Sequence, residues 1–162
     1  MTDLSQAGGQ LLDQADQLLS STQGLLDQAL SQLKANTLDG GRVSPAKLDS
    51  YQLVSYEISL CWAECTSARF LLEHAGRLQQ QQSDSAEFAA RLAALFCAEA
   101  VTAVTGRLRA RPAEFGVADA SISAVTSAGA DFLARHLAAE SMAAIGEEIV
   151  ESGGDLGADL LD

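Results

Sequence analysis

Proline and aromatic residues are scarce in this sequence. Its 162 residues include 2 prolines, and aromatic side chains make up 5%, whereas 48% of the residues are hydrophobic. Because proline interrupts helices while alanine and leucine favour them, this composition predicts long helices. Alternation of apolar and polar residues is also missing, so no β-sheet is expected. We predict an all-α fold, an antiparallel up-down bundle of four to five helices, as a single domain over residues 1–162 with an acidic tail from about residue 153.

Positive charge is also scarce. The chain has 10 basic and 22 acidic residues, which give a formal net charge of -12. Nucleic acids and anionic membranes bind basic surfaces, so neither is expected as the main partner. No apolar run approaches the ~20 residues of a membrane span. The polar start "MTDLSQAGGQ" is unlike a signal peptide, so a cytoplasmic location is expected. The 3 cysteines are an odd number and are expected to be reduced thiols.

Motifs for catalysis and cofactor binding are missing. The sequence contains no Gly-x-Ser-x-Gly, no P-loop and no dinucleotide fingerprint. Cys61 and Cys65 lie one helical turn apart, but no histidine stands at ligand spacing from them. His74 and His136 lack the Glu-x-x-His spacing of di-iron bundles. No catalytic, cofactor-binding or metal-binding residue is therefore predicted, and the cysteines are interpreted as core residues.

Apolar periodicity and turn residues divide the chain into five predicted helices. Ser44 is a predicted N-cap with Pro45 in the first helical position, and Gly153 and Gly154 are predicted to end the last helix. The helices are predicted over about Gly9 to Ala35, Pro45 to about Leu78, a cap at Asp84 to about Arg109, near Asp119 to about Leu137, and near Ser141 to Ser152.

A leucine repeat marks the first helix. Leu12, Leu19, Leu26 and Leu33 recur at every seventh position. Such a stripe can be the core seam of one bundle or the seam of an oligomer. The sequence leaves both interpretations open.

Three arginines follow one another closely at Arg107, Arg109 and Arg111. One interpretation is an anion contact, for example with the phosphates of CoA or of a nucleotide. The other is that they compensate the dipole at a helix C-terminus and pair with some of the acidic residues. The second is favoured because no glycine-rich phosphate cradle accompanies the cluster.

Three glutamates fall within apolar helices, at Glu57, Glu64 and Glu99. A buried carboxylate can act as a general base, but it pairs more often with an arginine. The partners considered for these carboxylates are Arg42, Arg69 and Arg91. The aromatic residues Tyr51, Tyr56 and Trp62 are interpreted as core or interface anchors.

Several segments carry a family resemblance. "LDGGRVSPAKLDSYQLVSYEISLCWAECTSARFLLEHA", "AALFCAEAV" and "GRLRARPAEFGV" resemble the helical N-terminal extension of the methylsuccinyl-CoA dehydrogenase branch of the acyl-CoA dehydrogenases. The ending "IVESGGDLGADLLD" resembles the junction that leads into the catalytic part of such proteins. The resemblance extends from about Leu12 to Asp162 and includes no catalytic motif.

The helix around "AALFCAEAV" also resembles one in the C-terminal bundle of ordinary acyl-CoA dehydrogenases. There a Gln-x-x-Gly-Gly-x-Gly turn follows and helps to hold flavin, but here Thr105 to Arg109 stands in its place. The catalytic glutamate and the middle β-domain of the family have no counterpart. The resemblance therefore implies a non-catalytic helical packing or oligomerisation domain, or a subunit, of an FAD-dependent oxidoreductase.

In that interpretation FAD belongs to the parent enzyme and not to this chain. The expected partners are an acyl-CoA dehydrogenase catalytic domain or subunit and further copies of the chain in a homo-oligomer. The alternative is a free-standing helical adaptor that offers the leucine stripe of its first helix to a partner helix.

Overall fold

The computed structural model describes residues 2–153, and its side chains are described from residue 8 onward. The expectations for Gly154 and for the rest of the acidic tail lie outside these residues. The elements are α1 (Thr2–Thr37), β1 (Leu38–Asp39), β2 (Arg42–Val43), α2 (Pro45–Ser50), α3 (Gln52–Gln80), α4 (Ala86–Ala110), α5 (Pro112–Phe115), α6 (Asp119–Ala128), α7 (Ala130–His136) and α8 (Ala139–Glu151). The all-α fold class is confirmed, although the described residues form eight helices rather than four or five.

The three longest helices, α1, α3 and α4, form the bundle. Ion pairs join Glu64 of α3 to Arg107 of α4, and Glu57 of α3 to Arg111, the residue directly after α4. Residue numbers therefore fall along one helix as they rise along the other. This order shows that α3 and α4 are antiparallel. Helix α4 lies at the centre, because it packs against α1, α3 and the C-terminal helices α6, α7 and α8.

The leucine stripe of α1 is a core seam within the chain. Leu12, Leu19, Leu26 and Leu33 are all buried, together with Thr22, whose hydroxyl donates to the carbonyl of Leu18 in its own helix. Helices α3 and α4 cover this stripe. Many of the buried side chains of α4 are alanines, and their small size lets the backbones of neighbouring helices approach closely.

The prediction that no sheet forms is wrong for four residues. Leu38 pairs with Val43 and Asp39 with Arg42 in an antiparallel hairpin. Gly40 and Gly41 close it with φ of 54° and 82°, the positive values that a tight hairpin turn requires. Two residues per strand are too few to show an alternating pattern, so periodicity could not reveal this hairpin.

The predicted cap of the second helix is confirmed, but the helix is interrupted. The Ser44 hydroxyl accepts from the amide N–H of Lys47 at 3.4 Å, and Pro45 opens α2. The backbone then leaves the helical region at Tyr51 (φ -115°, ψ 20°), so α2 and α3 are separate helices.

The predicted fourth helix is interrupted at Gly129. A Cβ atom there would approach the side chain of Leu18 to 2.6 Å, so glycine lets the junction of α6 and α7 lie directly on α1. Pro112, predicted to mark the end of the third helix, begins the short helix α5, which ends at Gly116 with φ of 66°.

One helix in the part of the chain that the structure describes, α4, is long and apolar enough by composition to cross a membrane. Most of its apolar window is buried in the bundle, as expected for the central helix of a helical core.

Candidate functional site: ion pairs and an exposed face of helix α3

The three clustered arginines are paired with carboxylates of the same chain. Arg107 donates two hydrogen bonds to Glu64, at 2.5 and 2.9 Å. Arg111 donates to Glu57, and Arg109 donates to Asp119 at 3.0 Å. An anionic ligand at this cluster would therefore compete with carboxylates that already neutralise the guanidinium groups.

The partners considered for the glutamates are wrong. Glu57 and Glu64 pair with Arg111 and Arg107, and Glu99 is exposed. The arginines considered earlier contact other acids, since Arg69 pairs with Asp16 and Arg91 pairs with Glu148. These ion pairs depend on how two packed helices are aligned along their length. The periodicity of a single helix carries no information about that alignment.

The Glu64–Arg107 pair also affects the buried thiol of Cys61. The hydrogen bonds that Arg107 donates to Glu64 raise the pKa of Arg107 above its ordinary value. Burial raises the pKa of Cys61, although the neighbouring guanidinium of Arg107 partly opposes this rise. Carboxylate and guanidinium thus neutralise each other between α3 and α4.

The three cysteines are buried, which confirms their interpretation as core residues. Burial raises the pKa of Cys65 and of Cys97 to about 12. The Cys97 thiol donates to the carbonyl of Ala15 on α1 at 3.4 Å. Within residues 2–153, no cluster of three or more histidine, cysteine or acidic side chains is arranged to hold a metal ion. Neutral thiols in such surroundings are inert packing groups.

The two histidines lie in the last turns of their helices or close to them. His74 on α3 is within 3.4 Å of the guanidinium of Arg77, and the ring of His136 packs on Phe132 with centroids 4.5 Å apart. Burial, and secondarily the charge of Arg135, lowers the pKa of His136. The helix dipole was expected to favour the charged form of His136. Desolvation of the buried ring outweighs this effect.

Two grooves lie beside α1. One of about 520 Å³ runs between α1 and α3, and its charged lining residues are Asp13, Asp16, Glu73 and Arg69. The other, of about 380 Å³, lies between α1 and the α6–α7 junction and is lined largely by polar residues such as Gln14 and Gln17. The acidic lining of the first groove disfavours phosphate-bearing ligands such as CoA or FAD.

A second apolar stripe, the outer stripe of α3, faces solvent. It consists of six residues at alternating intervals of three and four: Leu53, Tyr56, Leu60, Ala63, Ser67 and Phe70. Leu53 is 54% exposed, and Tyr56 and Phe70 are each 64% exposed. The opposite side of α3, which includes Val54 and Ile58, is buried in the core. Helix α3 thus has one apolar stripe that packs in the core and a second apolar stripe that is exposed to solvent.

The outer stripe is not distinguished from the core face by the sequence alone. Of its six residues, Tyr56 is singled out there, as a core or interface anchor. The two interleaved repeats were the available signal, because each has the spacing of a helix–helix seam. Tyr51 and Trp62 do pack against the core, as interpreted, whereas Tyr56 lies on the outer stripe.

No family model, no curated protein and no solved structure matches this chain. The likeness to the acyl-CoA dehydrogenase extension is therefore carried by the quoted segments alone.

Proposed function

We propose that this chain is a non-catalytic, cytoplasmic helical packing and oligomerisation module. It acts as a domain or subunit of an FAD-dependent acyl-CoA dehydrogenase of the methylsuccinyl-CoA dehydrogenase type. The catalytic part supplies the flavin and the acyl-CoA site, and the helical module supplies protein–protein contacts.

The outer stripe of α3 is the observation that carries this proposal. Tyrosine and phenylalanine are typical anchors of protein interfaces, because they bury a large area with few rotatable bonds. Tyr56 and Phe70 project from a helix of 29 residues that is fixed by its core face and by the Glu57 and Glu64 ion pairs. A rigid helix with exposed aromatic side chains supports a role in contact with another protein.

The chemistry of the described side chains supports a role without catalysis. Glu57 and Glu64 are held by arginines, and the thiols of Cys65 and Cys97 are protonated and buried. These are the groups that would otherwise be considered as base or nucleophile.

A free-standing adaptor, the alternative function, cannot use the leucine stripe of α1 as its binding surface. Leu19 and Leu26 of the α1 stripe are fully buried in the chain and are not available to a partner helix. An adaptor would have to use the outer stripe of α3. The genomic position separates the two proposals: an acyl-CoA dehydrogenase reading frame that continues from or adjoins this one favours the first.

The decisive experiment mixes the purified chain with the catalytic part of a methylsuccinyl-CoA dehydrogenase from which the helical extension has been removed. Sedimentation followed at the flavin absorbance is expected to show a stoichiometric complex. The chain alone, incubated with FAD and desalted, is expected to retain no flavin. Stoichiometric yellow colour in the chain alone would contradict the non-catalytic role, and separate sedimentation at all concentrations would contradict the assignment to this enzyme.

A further inference from the structure

The central part of the outer stripe of α3 is self-complementary in size when two copies are placed antiparallel. In the register that joins the most residues, positions whose numbers add to 123 face each other. Leu60 then faces Ala63 of the second copy, and Tyr56 faces Ser67 of the second copy. Large side chains meet small ones in these layers, which is the arrangement that lets two helices interdigitate. At each end of the pair two large apolar side chains, Leu53 and Phe70, face each other.

The distribution of charge favours a second copy on this face. Residues 52–115, which contain α3 and α4, have seven acidic and six basic residues and thus a net charge of -1, whereas the whole chain has -12. The carboxylates that flank the stripe, Glu57 and Glu64, are already neutralised by arginines of their own chain. Two copies can therefore meet along α3 without bringing together the excess of acidic residues, which lies in the rest of the sequence.

The size of the stripe is close to the lower limit for a specific protein interface. The segment from Leu53 to Phe70 is about 25 Å long at the helical rise per residue. Its two exposed aromatic side chains, with Leu53 and their neighbours, offer roughly 400–600 Å² per copy. A total near 1,000 Å² is at the low end of specific interfaces, so a dimer that dissociates on dilution is expected.

We propose that the outer stripe of α3 is the interface between two copies of this chain, paired antiparallel about a two-fold axis midway between Leu60 and Ala63. This inference rests on the proposed role in oligomerisation, since it names the partner of the same surface. It does not depend on the link to acyl-CoA dehydrogenases.

The first test measures the mass of the isolated full chain by analytical ultracentrifugation over a wide concentration series. The weight-average mass is expected to rise from 16.9 kDa towards twice that value. Tyr56→Ser and Phe70→Ser are each expected to raise the dissociation constant by about tenfold or more. Val150→Ser is the matched control, because Val150 is 78% exposed but lies on α8. A chain that stays monomeric, or a dimer that the α3 variants leave unchanged, would overturn the inference.

The second test examines the direction and register of the pair. Mild oxidation of the Leu60→Cys, Ala63→Cys double variant is expected to yield a covalent dimer, because the two new thiols face each other across the axis. Leu53→Cys alone is expected to remain monomeric in denaturing gels, since its two copies lie at opposite ends of an antiparallel pair. Efficient cross-linking through Leu53→Cys would show a parallel pair and would overturn the proposed arrangement.

The two proposals can fail separately. A chain that is monomeric alone but binds the catalytic part would refute the dimer and retain the proposed function. A dimer that ignores the catalytic part would retain the interface and refute the acyl-CoA dehydrogenase assignment.

Discussion

Arg107 on α4 and Glu64 on α3 form a two-point ion pair across the antiparallel helices, with N–O distances of 2.5 and 2.9 Å. The two side chains are 29% and 26% exposed, so the pair is largely but not fully removed from water. Two parallel hydrogen bonds fix the relative orientation of the groups as well as their distance. The pair therefore fixes the register of the two helices near Cys61.

Replacing Arg107 by alanine is expected to lower the free energy of unfolding by about 1–2 kcal/mol, between the values for exposed and for fully buried pairs. The loss arises because Glu64 keeps its partial burial but loses its donor. Urea unfolding followed by circular dichroism measures the change. Arg109→Ala is the matched control: its pair with Asp119 is 46% and 64% exposed, and a loss below about 1 kcal/mol is expected. Equal losses in both variants would contradict this interpretation.

Addition of millimolar CoA is expected to leave the melting temperature of the chain unchanged. Arg107, Arg109 and Arg111 already contact carboxylates, and a net charge of -12 repels a polyphosphate ligand. Differential scanning fluorimetry provides the measurement. A stabilisation by CoA that disappears when the three arginines are replaced by alanine would instead support the anion-contact interpretation.

The native thiols are expected to react slowly with a disulfide reagent at pH 8, and all three should react rapidly in concentrated urea. The reason is that the thiolate is the reactive form, while burial raises the pKa of Cys65 and Cys97 to about 12. Ser31→Cys, at an exposed position of α1, is the control and should add one fast-reacting thiol. A native cysteine that reacts as fast as this control would contradict the buried arrangement.

The same pKa shifts predict a loss of stability in alkali. The folded chain keeps the thiols of Cys65 and Cys97 protonated up to about pH 12, whereas in the unfolded chain they ionise near the ordinary value of 9.0. The unfolded state therefore binds fewer protons between these values, so the stability is complete below pH 9 and falls as the pH rises towards 12. Urea midpoints across this interval, compared with those of a Cys65→Ala variant, provide the measurement. The variant should have a shallower slope, and an equal slope would exclude Cys65 as a source of the effect.

His136 is expected to contribute a loss of stability in mild acid. Its pKa is lowered in the folded chain, so below the ordinary value of 6.5 the unfolded chain takes up a proton more readily. Stability is therefore complete above pH 6.5 and decreases as the pH falls below it. His136→Leu should reduce this slope between about pH 6.5 and 5.5, above the range in which most carboxylates titrate. An unchanged slope in chemical unfolding would contradict the assignment to His136.

Much of the fold could be predicted because the signals are local. The cap at Ser44 and Pro45 depends on neighbouring residues alone. The C-terminal end of α1 is likewise marked by the turn residues Gly40 and Gly41, which come shortly after it. The interruption at Gly129 could not be predicted in this way. Glycine is tolerated inside helices, and only the folded structure shows that the Leu18 side chain of α1 lies directly against this position.

The candidate site was predicted in its parts and not in its arrangement. The arginine cluster was expected to pair with acids, but which acids it contacts depends on the antiparallel register of α3 and α4. Likewise, the sequence placed Tyr56 among possible anchors without separating it from the core residues around it.

Local signals in the sequence are sufficient to predict the long helices, because scarce proline, abundant alanine and leucine, and glycine-rich turns act over a few residues. Which helical faces are covered depends on the tertiary packing. A regular spacing shows that residues share a face, but the packing of all helices together determines whether that face meets protein or solvent. For this reason the leucine stripe of α1 is buried in the core, whereas Tyr56 and Phe70 on α3 are exposed.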